Sequence, residues 1–341
     1  MSKGVGVSIV LVLYKNLREL KKCLESIKGS NYKNYEIIIV DNLGHKNLSF
    51  IKGFKKIKII SMNYNSGYSE GNNVGIRNSK GKYVLVMNPD IAINKNSLFY
   101  LVKFMEKNKD VVLCQPKILL STNKSKINTD GNKAHFLGFG YCGNYNKNDS
   151  VNNLGFIETP YVSGACFIGQ RDKLIKIGLF DQIFFMYHED FDLGIRARML
   201  GYKVGCYKNS VVYHSYKFKK NNTKNYNVEK NRIISLLKTY ESKTILLLLP
   251  VLILTELGII FVSIKEKWFG QKLRGYLFIG KHLKKIILDK KIIQKSRIIH
   301  DHDLFNFFVD AIDFEPVNNY AKYLNIITKT YFKFVKWIIK Y

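Results

Sequence analysis

The first hundred residues alternate between apolar runs and segments whose apolar residues recur at helical spacing. Runs rich in Val, Ile and Leu predict buried strands at 7–14, 35–42, 56–62 and 82–88. Helical spacing predicts helices at 16–28, 68–79 and 96–107. Apolar strands separated by helices are typical of a parallel sheet that is covered by helices on both faces. The chain is therefore predicted to have an α/β fold.

The pattern changes between residues 117 and 158, where Asn, Lys, Gly and Ser are frequent. We expect long loops or an irregular insertion in 117–158, which could frame an acceptor site. After it, the pattern predicts strands at 161–169, 203–207 and 210–214 and helices at 171–178 and 188–202. The last of these helices begins with acidic residues, as the helix dipole favours.

The last third of the chain contains one long apolar segment, residues 244–264, which only Pro250, Thr255 and Glu256 interrupt. About 20 apolar residues suffice to cross a bilayer, although a carboxylate within the bilayer is costly. Three interpretations stay open: a spanning or re-entrant segment, a helix that lies at the membrane interface, and a helix buried in the protein core. Lysines flank the segment and favour contact with anionic lipid.

The amino-acid composition limits the kinds of partner that the protein could bind. The chain has 341 residues, of which 46% are hydrophobic, and a formal net charge of +29. Such a charge attracts nucleic acid, anionic lipid or phosphorylated small molecules, but the lysines are spread along the chain and no nucleic-acid-binding motif is present. The five cysteines form no C-x-x-C pair, which indicates a reducing compartment without a disulfide framework or zinc site. We predict an α/β domain over 1–220 and a helical, membrane-associated region over 221–341.

Polar residues stand where three of the predicted strands end: Tyr14, Asp41-Asn42 and Asn88-Pro89-Asp90. Ligands of parallel sheets bind at the carboxyl ends of the strands. Asp41 could accept a hydrogen bond from a nucleobase N–H or a ribose hydroxyl, or it could only form the turn that follows. Asp90 could hold Mg²⁺ or Mn²⁺ against the diphosphate of a leaving group, or it too could belong to a plain turn.

The segment "NSGYSEGNNVGIRNSKG" (65–81) is rich in glycine and asparagine. Gly67 and the later glycines permit close approach of the backbone to a ligand. Asn73 could supply an amide donor, and Arg77 could contact phosphate. The segment matches neither the dinucleotide-binding fingerprint nor a P-loop. We predict contacts from Gly67, Asn73 and Arg77 to a phosphorylated ligand.

Three carboxylates open the helix predicted at 188–202, in the order Glu189, Asp190 and Asp192. Like charges this close raise one another's pKa, as is typical of a general base. The alternative is surface charge that complements the helix dipole. His214, after the last predicted strand, could be a second metal ligand or a structural histidine.

These residues together resemble glycosyltransferase family 2, the inverting enzymes of GT-A fold, and most closely its rhamnosyltransferase-like members. The resemblance covers about residues 5 to 217. It rests on "VLYKN", "VDN", "NSGYSEGNNVGI", "MNPD" and "GLFDQIFFMYHEDFDLGIRARMLGYKV", which occur in the family's order and spacing. The implied fold is a Rossmann-like, mixed and mostly parallel sheet with helices on both faces, followed by the helical C-terminal region.

The resemblance also implies roles for the residues that bind the donor. Tyr14 and Asp41 would line the pocket for the nucleotide base. Asn88-Pro89-Asp90 looks like the family's D-x-D motif with Asn in place of its first aspartate, so Asp90 would be the principal metal ligand. His214 matches a metal-binding histidine of some members.

The implied catalytic base is Asp190, with Glu189 beside it and Arg196 holding either the helix or the phosphates. Asp190 would take a proton from an acceptor hydroxyl, whose oxygen would attack the anomeric carbon and invert its configuration. The expected substrates are a nucleoside-diphosphate sugar and a glycan or lipid-linked oligosaccharide, at the cytoplasmic face of the membrane. The alternatives are a processive polysaccharide synthase of the same family, a basic nucleic-acid-binding protein and a non-enzymatic binder of sugar nucleotides.

Overall fold

Strands and helices alternate from the N-terminus, as the apolar pattern predicts. The computed structural model describes residues 5–45, 48–54, 56–150, 152–216 and 221–340. The strands are β1 (Val7–Leu13), β2 (Tyr35–Asp41), β3 (Ile57–Ser61), β4 (Tyr83–Met87), β5 (Ile91–Ile93), β6 (Val111–Leu120), β7 (Asn123–Thr129), β8 (Asn132–His135), β9 (Gly140–Cys142), β10 (Phe156–Glu158), β11 (Cys166–Gln170), β12 (Lys203–His214) and β13 (Phe308–Val309). The helices are α1 (Leu17–Lys28), α2 (Gly67–Arg77), α3 (Ser97–Lys107), α4 (Arg171–Ile177), α5 (Glu189–Met199), α6 (Asn222–Thr239), α7 (Ser242–Lys265), α8 (Phe269–Lys295), α9 (Asp301–Leu304) and α10 (Asn318–Ile339).

The main sheet has the strand order β10-β12-β6-β11-β4-β1-β2-β3. Strands β3, β2, β1 and β4 are parallel, whereas β11 runs antiparallel to both of its neighbours, β4 and β6. Beyond them β12 runs parallel to β6, and β10 is antiparallel to β12. The sheet is therefore mixed and mostly parallel. A second, three-stranded sheet has the order β13-β8-β9.

The core lies on both faces of the main sheet because side chains alternate along each strand. On one face Ile9 and Leu11 of β1 belong to the cluster that includes Leu24 of α1 and Leu101 of α3. On the other face Val10 belongs to the cluster that includes parts of α2, α4 and α5. The two clusters fix the sheet edge at which β1, β2 and β4 end.

Helix α2 lies directly on β1 through two glycines. A Cβ atom added to Gly71 would lie 2.8 Å from Val12 Cγ1, and one added to Gly75 would lie 2.3 Å from Val10 Cγ1. Successive turns of α2 therefore contact successively earlier residues of β1. The helix begins at the carboxyl edge of the sheet and ends at its amino edge.

The prediction of loops or an irregular insertion in 117–158 is wrong for half of this segment, which forms β7 to β10 and the end of β6. Some of its polar side chains, such as Lys117 and Asn128, are buried with partners, which the apolar pattern does not detect. Lys117, in the middle of the buried strand β6, pairs with Asp149 at 2.7 Å.

Two other boundaries also differ from prediction. The strand expected at 161–169 begins at Cys166. The two strands expected at 203–207 and 210–214 are the single strand β12, whose pairing with β6 has a register shift between Tyr207 and Val211.

The C-terminal helices pack onto the α/β part. Strand β13 pairs with β8, and Phe332 of α10 lies in one cluster with Phe136 and with Phe191 of α5. Among the described residues one helix, α7, is long and apolar enough to cross a membrane. The proposed division at residue 220 stays a prediction.

The close approach of α2 to β1 gives a stability test. We expect Gly75→Val to lower the free energy of unfolding by about 2 kcal/mol, because the added side chain must displace Val10. Gly29→Ala is the control, because an added Cβ meets no atom within 3.5 Å there, and its effect should stay within about 0.5 kcal/mol. Urea unfolding of both variants measures the difference, and equal midpoints would contradict the packing argument.

Candidate active site

The residues predicted at the carboxyl edge of the sheet do lie together there. Tyr14 follows β1 with 41% of its surface exposed. Asp41 is the last residue of β2, and its buried carboxylate accepts hydrogen bonds from the backbone N–H groups of Leu43 (3.1 Å) and His45 (2.6 Å). The ring Nδ1 of His45 lies 2.6 Å from the same carboxylate. Asp41 therefore closes the turn that follows β2, and its contact with a nucleotide base stays a prediction.

Asn42 and Gly67 join this edge to the start of α2. Asn42 donates to the Gly67 carbonyl oxygen (3.1 Å) and accepts from the Ser66 hydroxyl (2.7 Å). Gly67 has φ +75°, and a Cβ there would lie 2.6 Å from the Phe185 carbonyl oxygen, so the close approach requires glycine. The N–H groups of Tyr68 and the next residue donate to that same oxygen. The first turn of α2 therefore binds a backbone carbonyl.

The structure corrects the prediction for Asn73 and shows how Arg77 is paired. The Asn73 side chain is buried and bonds the backbone of Phe180 twice, through Nδ2 to its carbonyl (2.7 Å) and through Oδ1 from its N–H (3.0 Å). Asn73 thus holds the segment before α5. Arg77 is the last residue of α2, and its guanidinium lies 3.5 Å from Glu70 in the first turn of the same helix. Its contact with phosphate stays a prediction.

Asp90 and His214 face each other across the carboxyl edge. His214 Nε2 lies 3.3 Å from Asp90 Oδ1, without hydrogen-bond geometry, and this buried carboxylate oxygen has no hydrogen-bond partner. His214 Nδ1 lies 2.9 Å from Asn128 Oδ1. An amide oxygen accepts only, so Nδ1 carries a proton, and in the neutral ring Nε2 presents a lone pair to Asp90.

A divalent cation fits between these two acceptors. A carboxylate oxygen without a donor and a histidine lone pair directed by an amide form a donor set typical of metal ligands. The described residues contain no group of three or more His, Cys, Asp or Glu side chains that could hold a metal ion. Further ligands would therefore come from elsewhere, such as the phosphate oxygens of a substrate.

The loop before α5 has an unusual backbone. Phe185, Tyr187 and His188 all have positive φ, of +60°, +66° and +71°. Non-glycine residues of this kind persist where the surroundings hold them, often at functional sites. Asn231 of α6 supplies that support, because its Nδ2 lies within 3.0 Å of the carbonyl oxygens of Phe184, Met186 and Tyr187.

This loop delivers Asp190 to the opening at the carboxyl edge. Asp190 Oδ2 accepts from the N–H of Gly164 (2.9 Å), and Oδ1 accepts from the N–H of Phe191 (2.8 Å). The residue after Gly164, Ala165, accepts from the N–H of Asn88 (2.9 Å). One short turn therefore separates Asp190 from the segment that carries Asp90. Asp190 and Asp90 are both partly exposed and lie on either side of this turn, and this part of the carboxyl edge is the Asp90–Asp190 crevice.

Glu189 and Asp190 have different environments although they are neighbours. Burial raises the pKa of Asp190 to about 6, and backbone N–H donors limit the rise. Burial, together with the charge of Asp190, raises the pKa of Glu189 well above its usual range. Glu189 Oε2 is buried without a hydrogen-bond partner. Burial and the neighbouring charge therefore favour the protonated form of Glu189, whereas Asp190, with a pKa of about 6, is ionised at pH 7 and can accept a proton.

Arg196 and Asp192 fix the orientation of α5. Arg196 donates to Asp192 (2.7 Å) and to the carbonyl oxygens of Ile177 and Leu179 (both 2.7 Å). Lys238 of α6 lies 3.3 Å from the other oxygen of Asp192. Of the two expected roles of Arg196, the structure places it in holding the helix.

A cavity of about 790 Å³ lies apart from this crevice, between α6, α8 and the segment 182–185. Its lining includes Lys230, Arg274 and Phe278 but none of the predicted site residues. It is therefore a feature separate from the Asp90–Asp190 crevice.

Two polar residues of this site escaped the sequence reasoning. Asn128 lies in the segment expected to be loops, and Asn231 lies in the region expected only to contact membrane. Both are asparagines buried inside regular elements, at 2% and 0% exposure. Asparagine is disfavoured inside strands and helices unless its amide group has a hydrogen-bond partner. The presence of asparagine inside a strand or a helix could therefore have identified both residues.

Comparison with known proteins agrees with the fold and with the motifs. The family model described as "Glycosyl transferase family 2" matches residues 8–178. A hexosyltransferase of low-salt glycan biosynthesis from Haloferax volcanii is 28% identical over 207 residues, which are 58% of this chain and 64% of that protein. A poly-β-1,6-N-acetyl-D-glucosamine synthase from Staphylococcus epidermidis is 25% identical over 210 residues, 58% of this chain and 47% of that protein. The chain thus spans less than two thirds of each of these relatives.

Solved structures show the same fold at low identity. GalNAc-T7 with UDP, GalNAc and Mn²⁺ superposes with a TM-score of 0.58 at 14% identity, covering 71% of this chain and 49% of that one. The mannosyltransferase PcManGT from Pyrobaculum calidifontis, in complex with GDP-Man and Mn²⁺, gives a TM-score of 0.50 at 12% identity, with 70% and 64% covered. Both support the GT-A fold that the sequence resemblance implies. Since the family model matches half of the chain, the protein belongs to glycosyltransferase family 2.

Proposed function

We propose that the protein is an inverting glycosyltransferase that moves a sugar from a nucleoside-diphosphate sugar to a hydroxyl group of a glycan or lipid-linked oligosaccharide. The observation that carries this proposal is that the turn Gly164–Ala165 joins Asp190 to the segment of the Asp90–His214 pair: Gly164 donates to Asp190, and Ala165 accepts from Asn88. The named activities of the relatives support glycosyl transfer. The motifs resemble rhamnosyltransferase-like members, so we place the donor in that class.

Asp190 is the proposed base. Its carboxylate is partly desolvated but held by two backbone N–H groups, so it is ionised near pH 7 and oriented by the backbone. It would take the proton of the acceptor hydroxyl while that oxygen attacks the anomeric carbon. Burial favours the protonated form of Glu189 beside it, and a protonated Glu189 keeps the Asp190 carboxylate free of a second adjacent negative charge. Asp192 is fully paired inside the protein and takes no part.

Asp90 and His214 would hold Mg²⁺ or Mn²⁺, and Asn128 would orient His214. The bound cation would neutralise charge on the diphosphate leaving group. Two solved structures of the same fold contain Mn²⁺ together with UDP or GDP-Man, which supports this assignment. Tyr14, Asp41, Asn42 and Asn88 lie at the same edge and are the proposed surroundings of the nucleotide-sugar.

The proposed location is the cytoplasmic face of the membrane, with the α/β domain over 1–220 and the helical region over 221–341 in contact with lipid. The apolar helix α7 supports this location. The second candidate function is a processive polysaccharide synthase, because one relative is a poly-β-1,6-N-acetyl-D-glucosamine synthase. A product of a single added sugar would exclude it, whereas a ladder of products would favour it.

A donor screen tests the proposed activity. We expect purified protein with Mn²⁺ or Mg²⁺ and a membrane extract as acceptor to release nucleoside diphosphate from one of the UDP-, GDP- and dTDP-sugars. Asp190→Asn should lower that release by 10²- to 10⁴-fold, because it keeps the shape and removes the base. Asp172→Asn on α4, an exposed carboxylate outside the crevice, is the matched control. Release that survives in Asp190→Asn would contradict the assignment of the base.

The pH dependence follows from the raised pKa of Asp190. A base must be unprotonated, so kcat/KM should fall as the pH decreases through about 6, the pKa of Asp190, and should level off above it. The profile is measured at saturating metal concentration. The residual activity of Asp190→Asn should lack this acid limb. An unchanged acid limb in that variant would assign the titration to another group.

Removal of the amide behind His214 tests the metal assignment. We expect Asn128→Leu to raise the Mn²⁺ concentration for half-maximal activity by about 10- to 100-fold, because His214 loses the partner that fixes its tautomer. At saturating Mn²⁺ kcat should recover, which a merely unfolded variant would not do. Asn123→Leu, at the exposed start of β7, is the control. An unchanged metal requirement in Asn128→Leu would argue against His214 as a ligand.

A further inference from the structure

Helix α7 is buried on one side along its whole length. Thr244, Leu248, Val251, Thr255 and Ser263 form a stripe at helical spacing that faces the rest of the protein. Three of these five side chains are hydroxyls, and the Thr255 hydroxyl bonds back to its own helix. The first and last turns of α7 are therefore both attached to the same body.

A buried group of charges lies at the middle of α7. Glu256 forms ion pairs with Arg232 of α6 and with Lys272 of α8 (2.7 Å), and it accepts a hydrogen bond from the Tyr276 hydroxyl (2.6 Å). Glu229 completes the group, 2.7 Å from Lys272 and 3.2 Å from Arg232. An unpaired Glu256 carboxylate would be costly within a bilayer. Inside the protein, the ion pairs with Arg232 and Lys272 neutralise it.

The same charges connect α7 to the α/β part. Arg232 also donates to the carbonyl oxygen of Leu137 (3.2 Å), which follows β8. Arg232 thus joins the middle of α7 to the three-stranded sheet β13-β8-β9. If α7 crossed a bilayer, this sheet and four charged side chains would lie near the bilayer centre, where charged groups are strongly disfavoured.

The opposite side of α7 is exposed and apolar. Leu246, Leu257 and Phe261 have 70%, 58% and 68% of their surface exposed. The neighbouring helices continue this surface, since α8 exposes Leu277 (65%) and α10 exposes Trp337 (64%). Lysines are interleaved with these residues: α8 carries seven lysines and one aspartate, and α10 carries four lysines and no carboxylate. A surface that is both apolar and cationic matches the interface of an anionic bilayer.

We propose that α7, α8 and α10 form an in-plane docking face, which lies in one leaflet of an anionic membrane without crossing it. The exposed sides of the three helices enter the headgroup and acyl boundary, and the lysines contact lipid phosphates. Both ends of α7 stay on the side of the membrane that holds the crevice. The inference rests on the membrane location proposed above, but its tests do not use sugar transfer and can fail independently of it.

Cysteine labelling decides between in-plane docking and a membrane span. Three single variants of the full chain carry Lys243→Cys and Lys265→Cys at the ends of α7 and Lys176→Cys on α4 in the α/β part. All three lysines are exposed, and four of the five native cysteines are buried, so the unmodified chain gives the background. A membrane-impermeant maleimide is applied to inverted vesicles and to spheroplasts. We expect all three positions to react only in inverted vesicles. Reaction of the two ends of α7 from opposite sides would overturn the proposal.

Vesicle flotation tests the lipid partner and the face. The protein should float with vesicles that contain phosphatidylglycerol and much less with pure phosphatidylcholine. Leu257→Gln/Phe261→Gln should reduce partitioning by about tenfold or more, because binding follows the buried apolar area. Leu154→Gln/Ile175→Gln removes two residues of 56% and 46% exposure outside the face and should change nothing. Equal loss in both double variants, or no binding to either vesicle, would contradict the docking face; unchanged urea midpoints confirm that the variants fold.

Discussion

The geometry of the candidate site depends on the buried contacts that fix helix α5. Asp192 of α5 is fully buried, and a buried carboxylate is tolerated only when cations and hydrogen bonds satisfy it. Arg196, one turn later, supplies one cation and uses its remaining donors on two carbonyl oxygens. Lys238 of α6 supplies the other and also pairs with Asp181. These contacts fix α5, and the start of α5 therefore has a defined position at the sheet edge.

The chemistry follows from contrasts between adjacent carboxylates on that helix. Asp192 points inward and is neutralised by two cations, so it stabilises the fold. Asp190 points toward the crevice and bonds only to backbone N–H groups, so it keeps its charge near neutral pH and can lose it in mild acid. Glu189 has no donor at one oxygen, and its burial raises its pKa and favours the protonated form. Neighbouring acids with pKa values pushed apart are how a protein separates a base from a hydrogen-bond donor.

The sequence predicts the strands and helices whose apolar residues recur at strand or helix spacing. The parallel strands, the helices between them and the residues at the strand ends follow from apolar runs, and the comparisons confirm the fold class. Asn73 was placed wrongly because an asparagine among glycines suggests a ligand contact, whereas its buried side chain bonds the backbone of the distant Phe180. The strands of 117–158 were missed because Lys117 and Asn128 are buried only by virtue of distant partners, Asp149 and His214. Contacts between residues far apart in sequence leave no periodic signal.

The C-terminal region supports the residues of the candidate site. Asn231 holds the three carbonyl groups of the positive-φ loop, and Lys238 neutralises Asp192, and both come from α6. The family match ends at residue 178, before α5 begins. A chain cut at residue 220 would therefore keep the donor-side residues but leave Asp192 without one cation and the loop carbonyls without a donor. The predicted boundary at residue 220 is therefore a change in amino-acid composition. Residues on both sides of it hold Asp190 in position.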